Sequence, residues 1–453
     1  MGKRLELFRR FFVVNLSAFE YGLDSTVFLP TVLSYATVLK KDATRYVSYI
    51  QLFPSMVQFF ISLLIGPTVA YFGFSPKWCI IAFLLCSAAG NFLYASAGPH
   101  AIGNVWAMVG GRMLSGAASG AASLSISYLV LVSTTEERLP AMSMYRAFAG
   151  ISLVLGPLLS IPFVPLDAHI GQFRVNKDNA PAYTMSGIAL IIALMTVAGL
   201  QNRHTTKRNL FQLMLSPTSS SFSKHKNKWL GPGVVLLLML HSSFLLANVF
   251  FLMSTLLTAP EHWNTSNTSS CWLQAVVFAS ALAGSTLVEQ VRSRVVERTS
   301  RGPNASFNHR NSEIDLCLFS YVGSILGALL IVVSLANTSQ SEAHSGSLVC
   351  FLIGCATLVS SYNVQAASLP SLFSKCLPLP LRSGLTPWYA ATVAAGKVLA
   401  PPIIHSLGAS PGNRGWIGSQ ALCMGLSLLC TFSIIIMRNI WIDMVEYYNE
   451  RAD

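Results

Sequence analysis

Charged residues are scarce in this sequence. Only 11% of its 453 residues are charged, whereas 53% are hydrophobic, and the acidic residues number 18. Soluble domains carry about 25% charged residues, so this chain lacks the polar surface that a water-soluble protein needs. The mean hydropathy of +0.54 agrees with this interpretation. The scarcity of charge excludes a soluble globular protein and indicates an integral membrane protein.

Motifs for catalysis and metal binding are also missing. The 9 cysteines are scattered, and none forms a CxxC motif or a cysteine–histidine cluster of the zinc type. No stretch matches a phosphate-binding Walker loop, a nucleophile elbow or an HExxH pair. The sequence therefore does not support an enzyme, and we expect neither a metal nor an organic cofactor.

The net charge of +12 is best explained by membrane topology. In a soluble protein such an excess of Lys and Arg would indicate nucleic-acid binding. Here the basic residues lie in short segments between apolar runs, as they do in the cytoplasmic loops of membrane proteins. We therefore expect the lipid bilayer as the surrounding partner and no nucleic acid.

Long apolar runs recur along the whole chain. A helix needs about 20 mostly apolar residues to cross the hydrocarbon core, and only helices satisfy the backbone of such segments in lipid. The candidate spans are residues 11–37, 46–71, 79–97, 103–131, 139–164, 183–200, 231–257, 270–288, 316–335, 346–369, 385–407 and 417–437. The sequence thus predicts an all-α integral membrane protein with twelve transmembrane helices.

The longest polar interruption divides the chain near its middle. Residues 201–230 hold six basic residues and a serine-rich stretch. This composition predicts a basic linker between two six-helix halves, residues 1–200 and 231–453. If the N-terminus is cytosolic, most Lys and Arg fall in cytosolic segments, although three lie in the first outer loop. We therefore expect both termini and the linker in the cytosol.

Four charged residues lie well inside the predicted spans. An ionisable side chain at membrane depth costs about 3 kcal/mol on insertion scales and usually faces a cavity or a partner. Glu20 and Asp24 lie four residues apart in span one, hence on one helix face. Arg112 lies in span four and Lys397 in span eleven. Glu20 and Asp24 are candidates for proton or cation coupling, and Arg112 and Lys397 for contact with an anionic substrate group. A structural pair such as Glu20–Arg112 is the alternative.

Arg146 also lies within a span, close to its start. A long basic side chain near a helix end can extend to the aqueous surface. Arg146 could therefore extend to the cytosolic surface; a functional role is the less favoured alternative, and we leave it out of the cavity set. Later in the same span, Gly150, Gly156 and Pro157 resemble a hinge or a kinked packing face.

Several of these features together resemble the major facilitator superfamily, over essentially the whole chain. The twelve spans divided by a basic segment are similar to that family. A stretch from span four into span five is similar to its drug:proton antiporter branch; this stretch comprises Gly111–Gly116, Ser127-Tyr128, Glu136-Glu137-Arg138, Met142, Gly150 and Gly156-Pro157. Residues 176–183, NKDNAPAY, resemble the lysosomal major-facilitator-domain proteins linked to neuronal ceroid lipofuscinosis. The resemblance implies rocker-switch access to a central cavity, in an endolysosomal membrane rather than the plasma membrane.

The loop between spans two and three departs from the family pattern. Members usually read G-x-L-x-D-R-x-G-R-R there, and the acid and arginines form a gating charge network. This chain keeps Gly66 and Gly73, which are candidates for gating or packing. Ala70 stands in place of the acid, and Tyr71 and Phe74 in place of arginines. A channel-like pathway on the same fold is therefore a rival to a carrier.

Three functions follow from these features. The preferred one is a secondary active carrier, coupled to protons or another cation, that moves a small-molecule or ion substrate as a monomer. The second is an endolysosomal anion (chloride) pathway in which Arg112 and Lys397 form a positive ring. The third is a non-transporting membrane scaffold whose charges are structural pairs.

N-glycosylation tests the predicted orientation. The sequons at Asn264, Asn267 and Asn337 fall in outer loops, whereas Asn304 falls in a cytosolic loop. We expect a glycan on at least one of the first three and none on Asn304, because the acceptor machinery reaches only lumenal segments. Glycopeptide mass spectrometry checks all four positions, and a glycan on Asn304 would contradict the loop assignment.

Overall fold

The computed structural model describes residues 2–40, 43–99, 101–133, 138–170, 173–200, 230–257, 263, 265–299, 305–337, 344–377, 379–408 and 414–449. These residues form thirteen α-helices, a short 3-10 helix at Ile161–Phe163 and an antiparallel hairpin of β1 (Asp167–Ile170) and β2 (Phe173–Asn176). The helices are α1 (Gly2–Thr26), α2 (Val32–Leu39), α3 (Ala43–Phe72), α4 (Pro76–Ala95), α5 (Val105–Val132), α6 (Arg138–Ser160), α7 (Ala180–Gly199), α8 (Leu230–Leu256), α9 (Asn267–Thr299), α10 (Ala305–Asn337), α11 (His344–Lys375), α12 (Leu379–Gly408) and α13 (Arg414–Asn449).

Each predicted span overlaps a long helix. Nine of the described helices are by themselves long and apolar enough to cross a membrane, namely α3–α8, α10, α11 and α13. Helices α1, α9 and α12 carry more polar residues but have 25, 33 and 30 residues. The predicted all-α membrane architecture is confirmed, with the short α2 in addition.

The first predicted span, residues 11–37, is not one helix. Helix α1 ends at Thr26, and α2 begins at Val32 after a turn. Pro30 lies in this turn; it has no N–H to donate and disfavours a helical conformation of the residue before it. The single-helix prediction is therefore wrong at this point. The turn matters for the site, because Phe28 and Leu29 line a cavity.

The NKDNAPAY stretch makes the connection from β2 to α7. The Asn176 side-chain oxygen accepts hydrogen bonds from the backbone N–H groups of Asp178 (3.0 Å) and Asn179 (3.3 Å). The Asn179 side-chain oxygen in turn accepts from the Asn176 N–H at 2.8 Å. Asn side chains form such local turns readily, so this stretch has a structural role at the start of α7.

Helix α6 packs closely against both halves of the chain through its glycines. A Cβ at Gly156 would collide with the side chain of Thr26 at the end of α1. A Cβ at Gly150 would come within 3.3 Å of Leu282 on α9. Pro157 lies inside α6, which continues to Ser160. These residues form a packing face, and their role as a hinge stays a prediction.

Two further predicted glycines lie on α3 and at its end. Gly66 lies within the helix, and Gly73 follows it with a φ of +69°. This left-handed conformation favours glycine, and the Gly73 N–H donates to the carbonyl of Val69 at 3.0 Å. Gly73 therefore ends α3, and a gating role for either residue stays a prediction.

Two of the predicted glycosylation positions lie at helix ends. Asn337 is the exposed last residue of α10, and Asn267 is the first residue of α9. Asn264, Asn304 and residues 201–229 of the predicted linker lie outside the described residues.

Helices from the first and second halves of the chain meet along a seam. On one side α3 and α5 pack against α12, and on the other α6 packs against α9 and α11. We use "seam" for this contact zone between α1–α7 and α8–α13. The two chambers described next lie in it.

The close approach at Gly156 leads to a stability prediction. Gly156→Ala should lower the thermal stability of the purified protein, because overpacking costs about 1–3 kcal/mol. Gly187→Ala on α7 is the matched control, since nothing lies within 4 Å of the added Cβ there. Thermal unfolding in detergent measures both. Equal melting temperatures for the two variants would contradict the tight contact.

Candidate substrate cavity

Two chambers lie end to end in the seam. We call the end of the bundle at which α1 begins the inner end and the opposite end the outer end. The outer chamber is lined by α1, α3, α5, α8 and α12, and the inner chamber by these helices together with α6 and α11. The residues common to both linings are Tyr21, Ser25, Gln58, Phe250 and Lys397.

A hydrogen-bonded layer lies where the two chambers meet. The Lys397 Nζ donates to the hydroxyl of Tyr21 at 2.6 Å. The side-chain amide of Gln58 donates to the same hydroxyl at 2.9 Å. We call these three residues the tyrosine layer. Since Lys397 belongs to α12 and the other two residues to α1 and α3, the layer joins the two halves of the chain.

The carboxylate of the outer chamber is already paired. Arg112 donates to Asp24 Oδ1 at 2.9 Å and to the Asp24 main-chain oxygen at 3.2 Å. Asn91 on α4 also donates to Asp24 Oδ1, at 2.7 Å. Asp24 and Arg112 are 8% and 5% exposed, and the guanidinium carbon lies 4.1 Å from the centre of the Phe28 ring. Breaking such a buried pair leaves an uncompensated charge at a cost of about 3–5 kcal/mol.

Glu20 does not share the outer chamber with Asp24. Its carboxylate accepts a hydrogen bond from Ser87 on α4, and among the described residues it lines neither chamber. The two acids do lie on one face of α1, but that face is directed to α4, where Ser87 and Asn91 repeat the four-residue spacing. The expectation that Glu20 reaches the cavity is therefore wrong. The structural alternative, a Glu20–Arg112 pair, is replaced by Asp24–Arg112.

Arg146 is directed into the seam and not to the aqueous surface. It is 9% exposed. Its Nε donates to the carbonyl of Ala366 on α11 at 3.1 Å, and its terminal nitrogen donates to the Tyr389 hydroxyl on α12 at 2.6 Å. The expectation that it extends to the surface is wrong, because these two acceptors lie within reach across the seam.

The two chambers differ in charge balance. In the outer chamber the charges of Asp24 and Arg112 cancel, which leaves one cation, Lys397 of the shared lining. The inner chamber is lined by Arg146 and Lys397, and the part of its lining that the structure describes contains no carboxylate. The described ion pairs involve other basic residues, namely Arg112, Arg174, Lys375 and Arg438. The inner chamber therefore offers two cationic groups to a ligand.

A third cavity lies at the outer end, away from the seam, between α2 and the β-hairpin. The Asp178 carboxylate on its wall accepts a hydrogen bond from Ser34 at 2.6 Å. Burial raises the pKa of Asp178, against the lowering effects of the Ser34 hydrogen bond and the nearby Lys177 charge. This cavity lies between the hairpin and the helices, outside the seam.

Sequence reasoning missed most residues that line the two chambers, including four that form the hydrogen bonds described above. Tyr21, Gln58 and Tyr389 are uncharged, and single polar residues in apolar spans give no distinctive pattern. Arg146 did carry a signal, its charge at membrane depth, but its proximity to a helix start favoured the surface. Only the packing of α6 against the second half decided its direction.

Comparison of the sequence with known families identifies a family that agrees with this fold. The profile of the Major Facilitator Superfamily matches residues 14–373. The chain belongs to this family and is a multi-pass membrane transporter rather than an enzyme. Members bind small-molecule substrates within the bilayer.

Curated relatives and solved structures are similar along most of the chain. The MFS-type transporter PUL3 of Kluyveromyces lactis is 27% identical over 445 residues, which cover 93% of this chain and 96% of that protein. The proton:xylose symporter XylE has a TM-score of 0.71 at 14% identity, covering 97% of this chain and 98% of that one. The human organic anion transporter MFSD10 has a TM-score of 0.61 at 15% identity, covering 94% and 99%. At these identities the structures show the shared fold.

The Asp24–Arg112 pair leads to a double-mutant prediction. Asp24→Asn and Arg112→Gln should each destabilise the protein, because each leaves one buried charge without its partner. The double variant should recover part of the loss, with a coupling energy of about 0.5–3 kcal/mol between the two side chains. Unfolding in detergent gives the free energy of unfolding of the wild type, the two single variants and the double variant.

A surface pair is the control for this cycle. Arg174 and Asp167 form an ion pair at 2.6 Å, with side chains 39% and 54% exposed. Solvent screens exposed pairs, so Arg174→Gln and Asp167→Asn should have little effect and little coupling. Additive losses at Asp24 and Arg112 would show that the buried contact is not energetically coupled.

Proposed function

We propose that this protein is a proton-coupled secondary carrier that moves a small solute with an anionic group by alternating access. The observation that carries the proposal is the buried Asp24–Arg112 pair on the wall of a chamber between two halves of the bundle. A carboxylate in such a place can exchange a proton with the chamber and change the charge balance of the seam.

Protonation of Asp24 would leave Arg112 without a compensating charge. An unpaired cation buried at this depth is unstable, so the protein must gain an anion or rearrange. Proton binding is thereby coupled to substrate binding or to movement of the halves. We assign the coupling role to Asp24, which lines the outer chamber, and a supporting role to Glu20, which is hydrogen-bonded to α4 outside it.

Lys397 is the first candidate for contact with the anionic group. It lines both chambers, and its described contacts are to the hydroxyl and the ring of Tyr21. Arg112 is engaged by Asp24 and would become available to an anion only when Asp24 is protonated. A solute could therefore pass from one chamber to the other while keeping contact with Lys397.

Alternating access would occur by movement of residues 1–200 against residues 231–453, with residues 201–230 as the linker. The hydrogen bonds that cross the seam come from few positions, including Tyr21–Lys397 and the two bonds of Arg146. Breaking and remaking a small number of bonds makes two arrangements accessible. Gly66, Gly73, Gly150, Gly156 and Pro157 are the positions at which we expect the helices to bend or slide.

Proteins of the same fold support this type of mechanism. XylE is a proton:xylose symporter, the Escherichia coli protein FucP is a fucose:proton symporter, and MFSD10 is an organic anion transporter. Proton coupling and organic anion transport are therefore both found on this fold. The substrate of this chain must be argued from its own cavity.

A channel-like anion pathway is the second candidate. The two cations of the inner chamber favour it, because positive side chains line anion pores. The tyrosine layer argues against it, since hydrogen bonds join α1, α3 and α12 where an open channel would need a continuous passage. Saturation of flux with solute concentration distinguishes the carrier from a channel. An endolysosomal location and a monomeric state remain predictions from sequence, and the relatives named above do not indicate a compartment.

The coupling role of Asp24 leads to a flux prediction. In proteoliposomes with a pH-sensitive dye inside, a panel of small organic acids and neutral metabolites identifies solutes that move together with protons. Asp24→Asn should abolish this proton movement, because the asparagine cannot take up a proton. Glu20→Gln should retain it and chiefly lower the yield of folded protein. Unchanged pH dependence in a well-folded Asp24→Asn protein would refute the coupling role.

A further inference from the structure

We propose that the inner chamber binds an organic anion with a flat apolar body, whose acid group lies between Lys397 and Arg146. The proposal rests on the carrier function, since it names the class of solute that the carrier accepts. It adds Arg146, which the sequence excluded from the cavity, as the second charged ligand.

The first argument is the uncompensated charge of the inner chamber. Arg146 is buried and Lys397 half-buried, and the described lining holds no acid to neutralise them. Their described hydrogen bonds go to neutral oxygens, those of Tyr21, Tyr389 and the Ala366 carbonyl. Two like charges at membrane depth are costly without a counter-charge. A bound anion would supply that counter-charge, and hydrogen bonds between charged groups are the stronger ones.

The second argument is the nature of the walls. Tyr145, Tyr362 and Tyr389 line the inner chamber together with Tyr21 and Phe250 of the shared lining. Aromatic rings prefer offset-stacked or edge contacts with other rings. Ligand sites of this kind combine apolar and aromatic walls with a few polar groups that fix orientation. The walls therefore favour an organic acid with a flat body over a bare inorganic anion such as chloride.

The same contacts make Arg146 sensitive to occupancy of the chamber. Both of its described hydrogen bonds end on the second half, at α11 and α12, while Arg146 itself belongs to α6 of the first half. An acid group that draws the guanidinium toward Lys397 competes with these bonds. Binding of the anion would therefore loosen a contact that holds the halves together near the inner end.

The experiment compares acids with their neutral amides. Benzoate, 4-hydroxybenzoate, 1-naphthoate and indole-3-acetate are each paired with the corresponding amide, and binding to the purified full-length protein is measured by thermal shift and by competition in detergent without a proton gradient. At least one acid should bind about tenfold or more tightly than its amide, because the amide has the same shape but no charge to meet the two cations. If no acid in the panel exceeds its amide, the proposal is wrong.

Variants assign the preference to the two cations. Lys397→Gln and Arg146→Gln should each reduce the acid–amide ratio by about tenfold, whereas Arg146→Lys should retain part of it.

Lys77→Gln is the control for loss of one positive charge at the inner end, since Lys77 bonds only to the Val197 carbonyl among its described hydrogen bonds. Arg174→Gln is the control for loss of an arginine elsewhere. An unchanged ratio in a folded Arg146→Gln protein would remove Arg146 from the site. If neither chamber variant folds, the wild-type ratio alone decides whether the chamber selects anions.

Chloride binding and proton movement separate the remaining possibilities. If chloride alone produces the stabilisation and the acids add nothing to it, the chamber is an inorganic-anion site and the proposal is overturned. Because binding is measured without a gradient, selective binding of acids by a protein that moves no protons would uphold this inference and refute the coupled carrier. Proton-coupled uptake without any acid–amide preference would do the reverse.

Discussion

The cost of an unpaired charge at membrane depth governs the organisation of the seam. Water does not stabilise ions there, so each charged side chain must find an opposite charge, a hydrogen-bonding partner or a ligand. Asp24 and Arg112 neutralise each other across α1 and α5. Lys397 and Arg146 have hydroxyl and carbonyl partners and no described carboxylate. The stability of the fold and the proposed preference of the cavity for anions thus follow from the same electrostatic constraint.

The two chambers meet this constraint in different ways. The outer chamber contains the Asp24–Arg112 pair, to which we assign the coupling role in the proposed carrier. The inner chamber contains an excess of positive charge that an arriving acid group can balance. The tyrosine layer lies between them and includes Lys397, which lines both. In the proposed carrier, the coupling pair and the anion-binding cations are therefore placed in series along the axis of the bundle.

Both apolar packing and hydrogen bonds hold the two halves of the chain together. The close contact at Gly150 brings α6 against α9 of the second half, and the closer contact at Gly156 packs α6 against α1 within the first half. Few hydrogen bonds cross the seam, and Arg146 donates two of them. A contact zone with closely packed apolar surfaces and few hydrogen bonds can move between discrete arrangements when those hydrogen bonds break and re-form with other partners. Arg146 lines the inner chamber and also bonds across the seam, so the proposed anion would compete with these hydrogen bonds.

The sequence by itself determined the membrane class, the positions of most long helices and the four charges at membrane depth. These follow from hydropathy and charge, which act locally along the chain. It also located the Gly-Pro contact of α6 and the family resemblance. It failed where Pro30 interrupts the first span, because the run of apolar residues continues through the turn.

Only the tertiary structure decided which charges meet. Helical spacing showed that Glu20 and Asp24 share a face, but the neighbour of that face, α4, is set by packing between distant segments, and it separates Glu20 from the chamber. The partner of Arg112 and the inward direction of Arg146 depend in the same way on which helices lie beside them. Periodicity along one helix carries no information about the helix opposite. For that reason the sequence showed where charge is buried, and the fold decided what that charge can bind.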